Sequence, residues 1–215
     1  MNAFANLFKL FVDGGPIIMS LILICLLVAT FIIIERFLYL NRIKINDEKV
    51  IDRLSSAIKK GNYDEALAIC ENAPSPVTNL MVAGIKYKEE SEHQIQEAIK
   101  DAASLEIPKL EKYLTTLGTI ANISTLLGLL GTVQGNMEAF GIIGAKSALG
   151  SMEMLATGIS KALITTAFGL IVSIPATIFY NHLTNNVNNI ILKLETQANE
   201  LMSILKKGKK VQIKE

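Results

Sequence analysis

Three long runs without a formally charged side chain constrain this chain more than any other feature of its sequence. They cover residues 14–34, 113–137 and 162–192 and contain 21, 25 and 31 residues. A helix needs about 20 residues to cross the ~30 Å hydrocarbon core of a bilayer. Each run is therefore long enough to span a membrane once.

The polar residues around these runs set the ends of the predicted spans. The third run contains the segment NHLTNNVNN, which is too polar to lie in lipid. Half of the 215 residues are hydrophobic and the mean hydropathy is +0.38, which indicates spans joined to a soluble portion. We predict an all-α membrane protein with transmembrane helices near residues 16–38, 112–140 and 154–182 and with long helical extensions in the cytoplasm.

The distribution of Lys and Arg predicts the orientation of the spans. Basic residues follow the first span and recur near the C-terminus, whereas only Lys9 precedes the first span and only Lys146 lies between the second and third. Residues 39–111 and 183–215 should therefore be cytoplasmic, with the N-terminus and the 141–153 loop in the periplasm. The basic residues that decide this are Arg36, Arg42, Lys44, Lys49, Arg53, Lys193, Lys206, Lys207, Lys209, Lys210 and Lys214.

The N-terminal segment, residues 1–15, has apolar side chains at spacings of three and four residues. This spacing suits a short helix in the membrane interface, and a simple leader to the first span is the alternative. The segment has no basic start and no small-residue cleavage site, so we do not expect a cleaved signal peptide. The apolar positions are Ala3, Phe4, Leu7, Phe8 and Phe11.

The cytoplasmic region before the second span is predicted to be helical with interruptions. Its apolar periodicity is broken at Gly61 and again at Pro74 and Pro76. A long helix is then expected to begin near Ser91 and to run through Pro108 into the second span.

Composition and motifs argue against several classes of function. A net charge of +1 gives no support for nucleic-acid binding. Cys25 and Cys70 form no CxxC or Cys/His spacing, so neither a metal site nor another cofactor is expected. Thr157 and Lys161 lie four residues apart, which makes a hydroxyl–lysine dyad conceivable. No motif supplies an oxyanion hole, so we do not expect an enzyme.

The second and third spans each carry one face of small and polar residues. Small residues that recur at every third or fourth position of each span predict close helix–helix packing. Amide side chains at Asn122, Gln134 and Asn136 suggest in addition a hydrated path or a site for another helix. The predicted packing positions are Gly128, Gly131 and Gly135 on the second span, and Gly158, Gly169 and Pro175 on the third.

Charged residues occur only at the edges of these two spans. Glu138 ends the second span and Lys161 opens the third, where the two side chains could pair or extend to the interface. No Asp or Glu lies deeper, and a threonine hydroxyl can relay a hydrogen bond but does not carry a proton as a carboxylate does. A carboxylate for proton transfer would therefore have to come from a second protein.

Two motifs in these spans resemble the MotA/TolQ/ExbB proton-channel family, in its ExbB and TolQ branch. They are LLGLLGTVQGNMEAF and GISKALITTAFGLIVSIPATIFYN. The cytoplasmic stretch GNYDEALAICENAPSPV is similar as well. By motif position Thr132 and Thr166 match the pore-facing threonines of the family, Thr165 lies beside them, and Pro175 matches the proline that closes the third-span motif. The four-span MotA branch does not fit three runs.

The resemblance implies an assembly and a role that the residues alone do not. It implies a homopentameric ring in the bacterial inner membrane around two copies of a single-span ExbD- or TolR-like partner, and a TonB-like protein as a further contact. An ExbB-like motor that energises outer-membrane transport is the first expectation. A TolQ-like envelope role and a non-conducting scaffold are the alternatives, and protons are expected over sodium.

One position departs from the family pattern. ExbB-like proteins commonly have glutamate in GI-x-E-AL, where this sequence has Lys161. We expect Lys161 and Glu138 to set the charge at the mouth of the pore, unless Lys161 serves as an interfacial anchor.

Overall fold

The computed structural model describes residues 10–145 and 151–212, and the regular structure in these two ranges is α-helical. The helices of ten or more residues are α1 (Pro16–Lys59), α2 (Tyr63–Asn72), α3 (Pro76–Lys86), α4 (Glu92–Glu111), α5 (Leu114–Ala145) and α6 (Ser151–Gln212). Most of the predicted N-terminal helix and Lys146 lie outside the described residues.

Three helical stretches are long and apolar enough to cross a membrane. They are Pro16–Ile43, Glu92–Gly141 and Leu155–Lys206, which confirms the predicted number of spans and the all-α class. Helix α6 alone has 62 residues, so at 1.5 Å per residue it is about 93 Å long. Since the hydrocarbon core is ~30 Å thick, much of α6 extends beyond it, as predicted. The orientation of the spans stays a prediction.

The chain forms two compact units, and the first contains the predicted spans. It consists of residues 1–35 and 113–182, which are the first part of α1, all of α5 and the first half of α6. Ile18, Met19 and Ile22 of α1 form a buried cluster with Val172 of α6. Leu127 of α5 and Phe168 of α6 pack against this cluster, so α1 lies against both other helices of the unit.

The second unit consists of residues 36–112 and 183–215 and is a separate helical bundle. A Cβ placed on Gly84 of α3 would lie 2.6 Å from Leu201 of α6 and 3.0 Å from Ile99 of α4. Helix α3 therefore packs closely against α4 and α6. The buried side chains of this bundle include Leu54, Ala66, Leu80, Ile99, Leu110, Leu194 and Leu201.

The predicted interruptions of the cytoplasmic region are present, each with a standard helix end. Helix α1 ends before Gly61, which has φ of 76° and is joined to Ile58 by an N–H···O hydrogen bond of 3.0 Å. Helix α3 begins with Pro76 after a capping box, in which Ser75 and Thr78 each accept from the other's backbone N–H. These contacts explain why the helices are interrupted at the two places where the apolar periodicity fails.

The predicted continuous helix from Ser91 into the second span is wrong at one point. Helix α4 does run through Pro108, but it ends at Glu111, and Tyr113 adopts a left-handed φ of 64°. A continuing helix would use the Lys109 carbonyl to accept the N–H of Tyr113. Here the buried Arg36 guanidinium donates to that carbonyl at 3.0 Å, so a residue 73 positions away completes the end of α4.

The structure predicts a slow reaction of Cys70 with alkylating reagents. Burial raises the pKa of this thiol from 9.0 to about 11, and the Glu71 carboxylate adds to the rise. At pH 8 the thiolate is therefore a minor species in the folded chain. A Cys25→Ala variant should react with iodoacetamide far more slowly when folded than in denaturant, as measured by mass spectrometry.

The same pKa shift predicts how stability depends on pH. The pKa of Cys70 is higher in the folded chain than in the unfolded chain. The contribution of this thiol to the free energy of unfolding is therefore fully present below about pH 9 and is lost as the pH rises towards 11. Equal alkylation rates for the folded and unfolded chain at pH 8 would contradict this description of the Cys70 environment.

Candidate functional site

Helices α5 and α6 approach each other along a line of small residues, which we call the glycine seam: Gly128, Gly131 and Gly135 of α5 with Gly158 and Gly169 of α6. A Cβ on Gly135 would lie 2.8 Å from the Gly158 carbonyl oxygen, and one on Gly169 would lie 2.9 Å from the Gly128 Cα. Such distances are shorter than van der Waals contact, so the two backbones meet as closely as they do only because these positions lack side chains.

Two pairs of hydroxyl groups connect α5 and α6 beside the glycine seam. The Thr125 hydroxyl donates to Ser173 Oγ at 2.7 Å, and the hydroxyls of Thr132 and Thr166 form a direct hydrogen bond. Thr125 and Thr132 are seven residues apart, as are Thr166 and Ser173, so the pairs lie on one side of the seam about 10 Å apart. The structure thus brings together Thr132 and Thr166, which the sequence predicted for the ion pathway.

The Thr132–Thr166 pair also reaches backbone carbonyls of both helices. The Thr166 hydroxyl lies 3.1 Å from the Gly128 carbonyl oxygen and 3.2 Å from that of Ala162, and Thr132 lies 3.4 Å from each. One of the two hydroxyl protons forms the bond between Thr132 and Thr166, so one proton is left for the two carbonyls. The donor order can therefore run from Thr132 to Thr166 or in reverse, which is the property a hydrogen-bond relay requires.

Thr165 and Pro175 lie apart from the hydroxyl pairs. The Thr165 side chain is buried against Gly131 in the seam, and its hydroxyl donates to the Ala162 carbonyl of its own helix at 2.8 Å. Pro175 is exposed and lies inside α6, where a proline removes the helical hydrogen bond to the Ile171 carbonyl.

The two charged residues at the edges of the spans form an ion pair. Lys161 Nζ lies 2.7 Å from Glu138 Oε2, and the Gln134 amide donates to the other carboxylate oxygen at 3.0 Å. Glu138 is six positions from Thr132, about 120° around α5, and Lys161 is five positions from Thr166, about 140° around α6. The ion pair and the hydroxyl pairs therefore lie on different sides of the glycine seam.

The remaining polar positions divide in the same way. Asn122 and Asn136 lie within about 80° of Thr132 on α5, so they share the side of the hydroxyl pairs. Thr157, which the sequence placed in a conceivable dyad with Lys161, donates to the Glu153 carbonyl at 2.8 Å.

Among the described residues, no cluster of three or more His, Cys, Asp or Glu could hold a metal ion.

Comparison with known proteins places these helices in a wider group. Residues 72–196, which are more than half of the chain, match the sequence profile of the MotA/TolQ/ExbB proton channel family. The match includes α3 to α5 and most of α6, and so it contains the glycine seam and both hydroxyl pairs.

Individual relatives come from two branches of that family. The biopolymer transport protein ExbB of Aquifex aeolicus is 41% identical over 107 residues, which are 50% of this chain and 71% of that protein. The Tol-Pal system protein TolQ of Haemophilus influenzae is 42% identical over 109 residues, 50% of this chain but only 47% of that protein. An ExbB homolog of Methanothermobacter thermautotrophicus is 28% identical over 196 residues, 91% of this chain and 69% of that protein.

The geometry of the seam predicts that a side chain at Gly135 destabilises the α5–α6 pair. Gly135→Val should lower the apparent unfolding temperature in detergent by several degrees, because overpacking costs roughly 1–3 kcal/mol, or about 2–4 °C per kcal/mol for a chain of this size. Gly141→Val is the matched control, since a Cβ on Gly141 meets nothing within 4 Å. Equal unfolding temperatures for the two variants would contradict the close approach at Gly135.

Proposed function

The chain belongs to the MotA/TolQ/ExbB proton channel family, and we propose that its α5–α6 pair lines the ion path of a complex driven by the proton motive force. The observation that carries this proposal is the Thr132–Thr166 hydroxyl pair, held between two backbone carbonyls in spans without a deep Asp or Glu. The pair lies on the side of the glycine seam away from α1, where a further helix has room to bind.

A relay of hydroxyls needs a separate group that takes up and releases the proton. Threonine does not ionise at physiological pH, and the sequence offers no carboxylate between residues 112 and 137 or between 154 and 182. We infer that a single-span ExbD- or TolR-like protein supplies this carboxylate, in two copies inside a ring of five copies of the present chain. The exposed apolar residues next to the hydroxyl pairs, such as Leu129 and Leu170, suit contact with such helices.

The proposed work is the energising of transport at the outer membrane, through a TonB-like protein. The relatives named for biopolymer transport support this role, and the TolQ relative supports envelope maintenance as the second candidate. A non-conducting scaffold is the third candidate, because tight packing by itself also favours small residues. We assign the chain no catalytic role and place it in the bacterial inner membrane with a periplasmic N-terminus and a cytoplasmic C-terminus.

Thr166→Val tests conduction, because valine keeps the shape of threonine and removes the hydroxyl. We expect proton flux to fall about tenfold, which corresponds to the loss of one hydrogen bond of about 1–1.5 kcal/mol in the path. The measurement uses liposomes that contain the chain and the ExbD- or TolR-like protein of the same organism. A potassium potential drives the flux and a trapped pH-sensitive dye reports it.

Thr157→Val is the matched control, since Thr157 lies on the opposite face of α6 and its hydroxyl donates to the Glu153 carbonyl of its own helix. It should conduct as the unmodified chain does. Unchanged flux in both variants would refute the relay and favour the scaffold, whereas sodium-dependent flux would assign the other coupling ion.

Native mass spectrometry from lipid nanodiscs tests the proposed assembly. We expect five copies of the chain alone, and five copies with two partner chains when the single-span protein is co-expressed. A monomer or dimer that does not bind the partner would remove the central pore and with it the proposed function.

A further inference from the structure

Lys161 contacts both helix α5 and the residue directly before α1, within the unit of residues 1–35 and 113–182, which we call the membrane unit. Its ammonium pairs with Glu138 of α5 at 2.7 Å, and its methylene chain runs past Gly15, directly before α1. A Cβ placed on Gly15 would lie 2.8 Å from Lys161 Cε. Both ends of this side chain are therefore engaged, the charged end by α5 and the apolar stem by the start of α1.

The backbone at Gly15 is shaped to admit the lysine stem. Gly15 has φ of 89°, in the left-handed region that side chains disfavour, and α1 begins at the next residue with Pro16. The Gly15 carbonyl accepts the N–H of Met19 at 3.1 Å, so the turn leads directly into the first span. A larger residue at position 15 would meet both backbone strain and the Lys161 side chain.

The carboxylate that receives Lys161 is fixed as well. One Glu138 oxygen accepts from Lys161 and the other accepts from Gln134 on the preceding turn of α5. The lysine side chain is 26% exposed and that of Glu138 is 44% exposed, so solvent screens the pair only in part. The ion pair thus joins Lys161 of α6 to a carboxylate of α5 that Gln134, on the same helix α5, already holds in place.

The ion pair lies on the side of the seam that α1 covers. Ile164, Phe168 and Val172 follow Lys161 at spacings of three, four and four residues, which places all four on one face of α6. This face meets α1, since a Cβ on Gly14 would lie 3.1 Å from Ile164, and Val172 packs with Met19. The hydroxyls of Thr132 and Thr166 point to the other side.

We propose that Lys161 is a positioning residue that fixes the start of the first span against the α5–α6 pair, through its ion pair with Glu138 and its contact with Gly15. It is not a charge of the ion path. Since the ammonium and the carboxylate cancel, this end of the α5–α6 pair carries no net charge from them. The inference goes beyond the proposed function and does not depend on it, because its test needs no ion flux.

A cysteine pair at positions 14 and 164 measures the placement of α1 directly. The variant Gly14→Cys/Ile164→Cys, with Cys25→Ala and Cys70→Ser, should form a disulfide quickly with copper phenanthroline, followed by the gel shift of unreacted thiols with a maleimide polymer. Adding Lys161→Met should slow disulfide formation about fivefold, because loss of the ion pair lets the start of α1 leave its site. Adding Lys206→Met instead is the matched control, since its ion pair with Glu92 at 2.8 Å lies in the other unit.

Three further variants separate placement from general loss of structure. Lys161→Arg keeps the charge and should keep the disulfide rate. The exchange Glu138→Lys/Lys161→Glu should restore part of the rate lost in Lys161→Met. Gly15→Ala should also lower the rate, because its methyl group would displace the lysine stem from its place beside the start of α1.

The proposal is overturned if Lys161→Met leaves the disulfide rate unchanged, or if Lys206→Met slows it equally. None of these results bears on Thr166→Val, so a failure here and a failure of the proposed function are distinguishable.

Discussion

The close approach of α5 and α6 is the contact on which the rest of the membrane unit depends. Burial of apolar surface does not drive helix association inside lipid, so close packing and polar contacts must hold the pair together. The glycine seam provides both, because it brings the backbones near enough for Thr125 to reach Ser173 and for Thr132 to reach Thr166. At an ordinary helix–helix distance these short side chains would not meet. Packing and hydrogen bonding are therefore one feature of this pair.

The seam also divides the α5–α6 pair into two sides with different roles. On one side α1 covers Val172 and Phe168, and the Lys161–Glu138 ion pair closes the end of the contact. On the other side the hydroxyl pairs border exposed leucine and isoleucine side chains that no helix of the described chain covers. A single subunit thus pairs its two charges on the side of its own first span and leaves its neutral hydroxyls on the side that its described helices do not cover.

Much of this architecture follows from periodicity, and what does not follow depends on contacts between distant residues. The uncharged runs predict three spans, and the glycine spacing predicts a packing face, because both are properties of one helix at a time. The break at Tyr113 is not predictable in this way, since it depends on Arg36 reaching the Lys109 carbonyl. For Lys161 and Glu138 the sequence predicts either an ion pair or separate extension to the interface, and does not decide between them. The side of the glycine seam on which Lys161 and Glu138 lie depends on where α1 packs, which the contact between Lys161 and Gly15 shows.

The neutrality of the hydroxyl side has a consequence for how such a subunit would do work. One charge that crosses 100 mV releases about 2.3 kcal/mol, and a channel wall of hydroxyls and carbonyls has no ionising group with which to hold that proton. If the carboxylate belongs to a partner helix, as proposed above, then protonation changes the charge of the partner and not that of the wall. A charged carboxylate would favour contact with the Thr132–Thr166 hydroxyls, and a neutral one would favour the apolar positions beside them. The occupancy of the ion site and the position of the partner would then be one equilibrium, which is the coupling that a rotary or sliding motor needs.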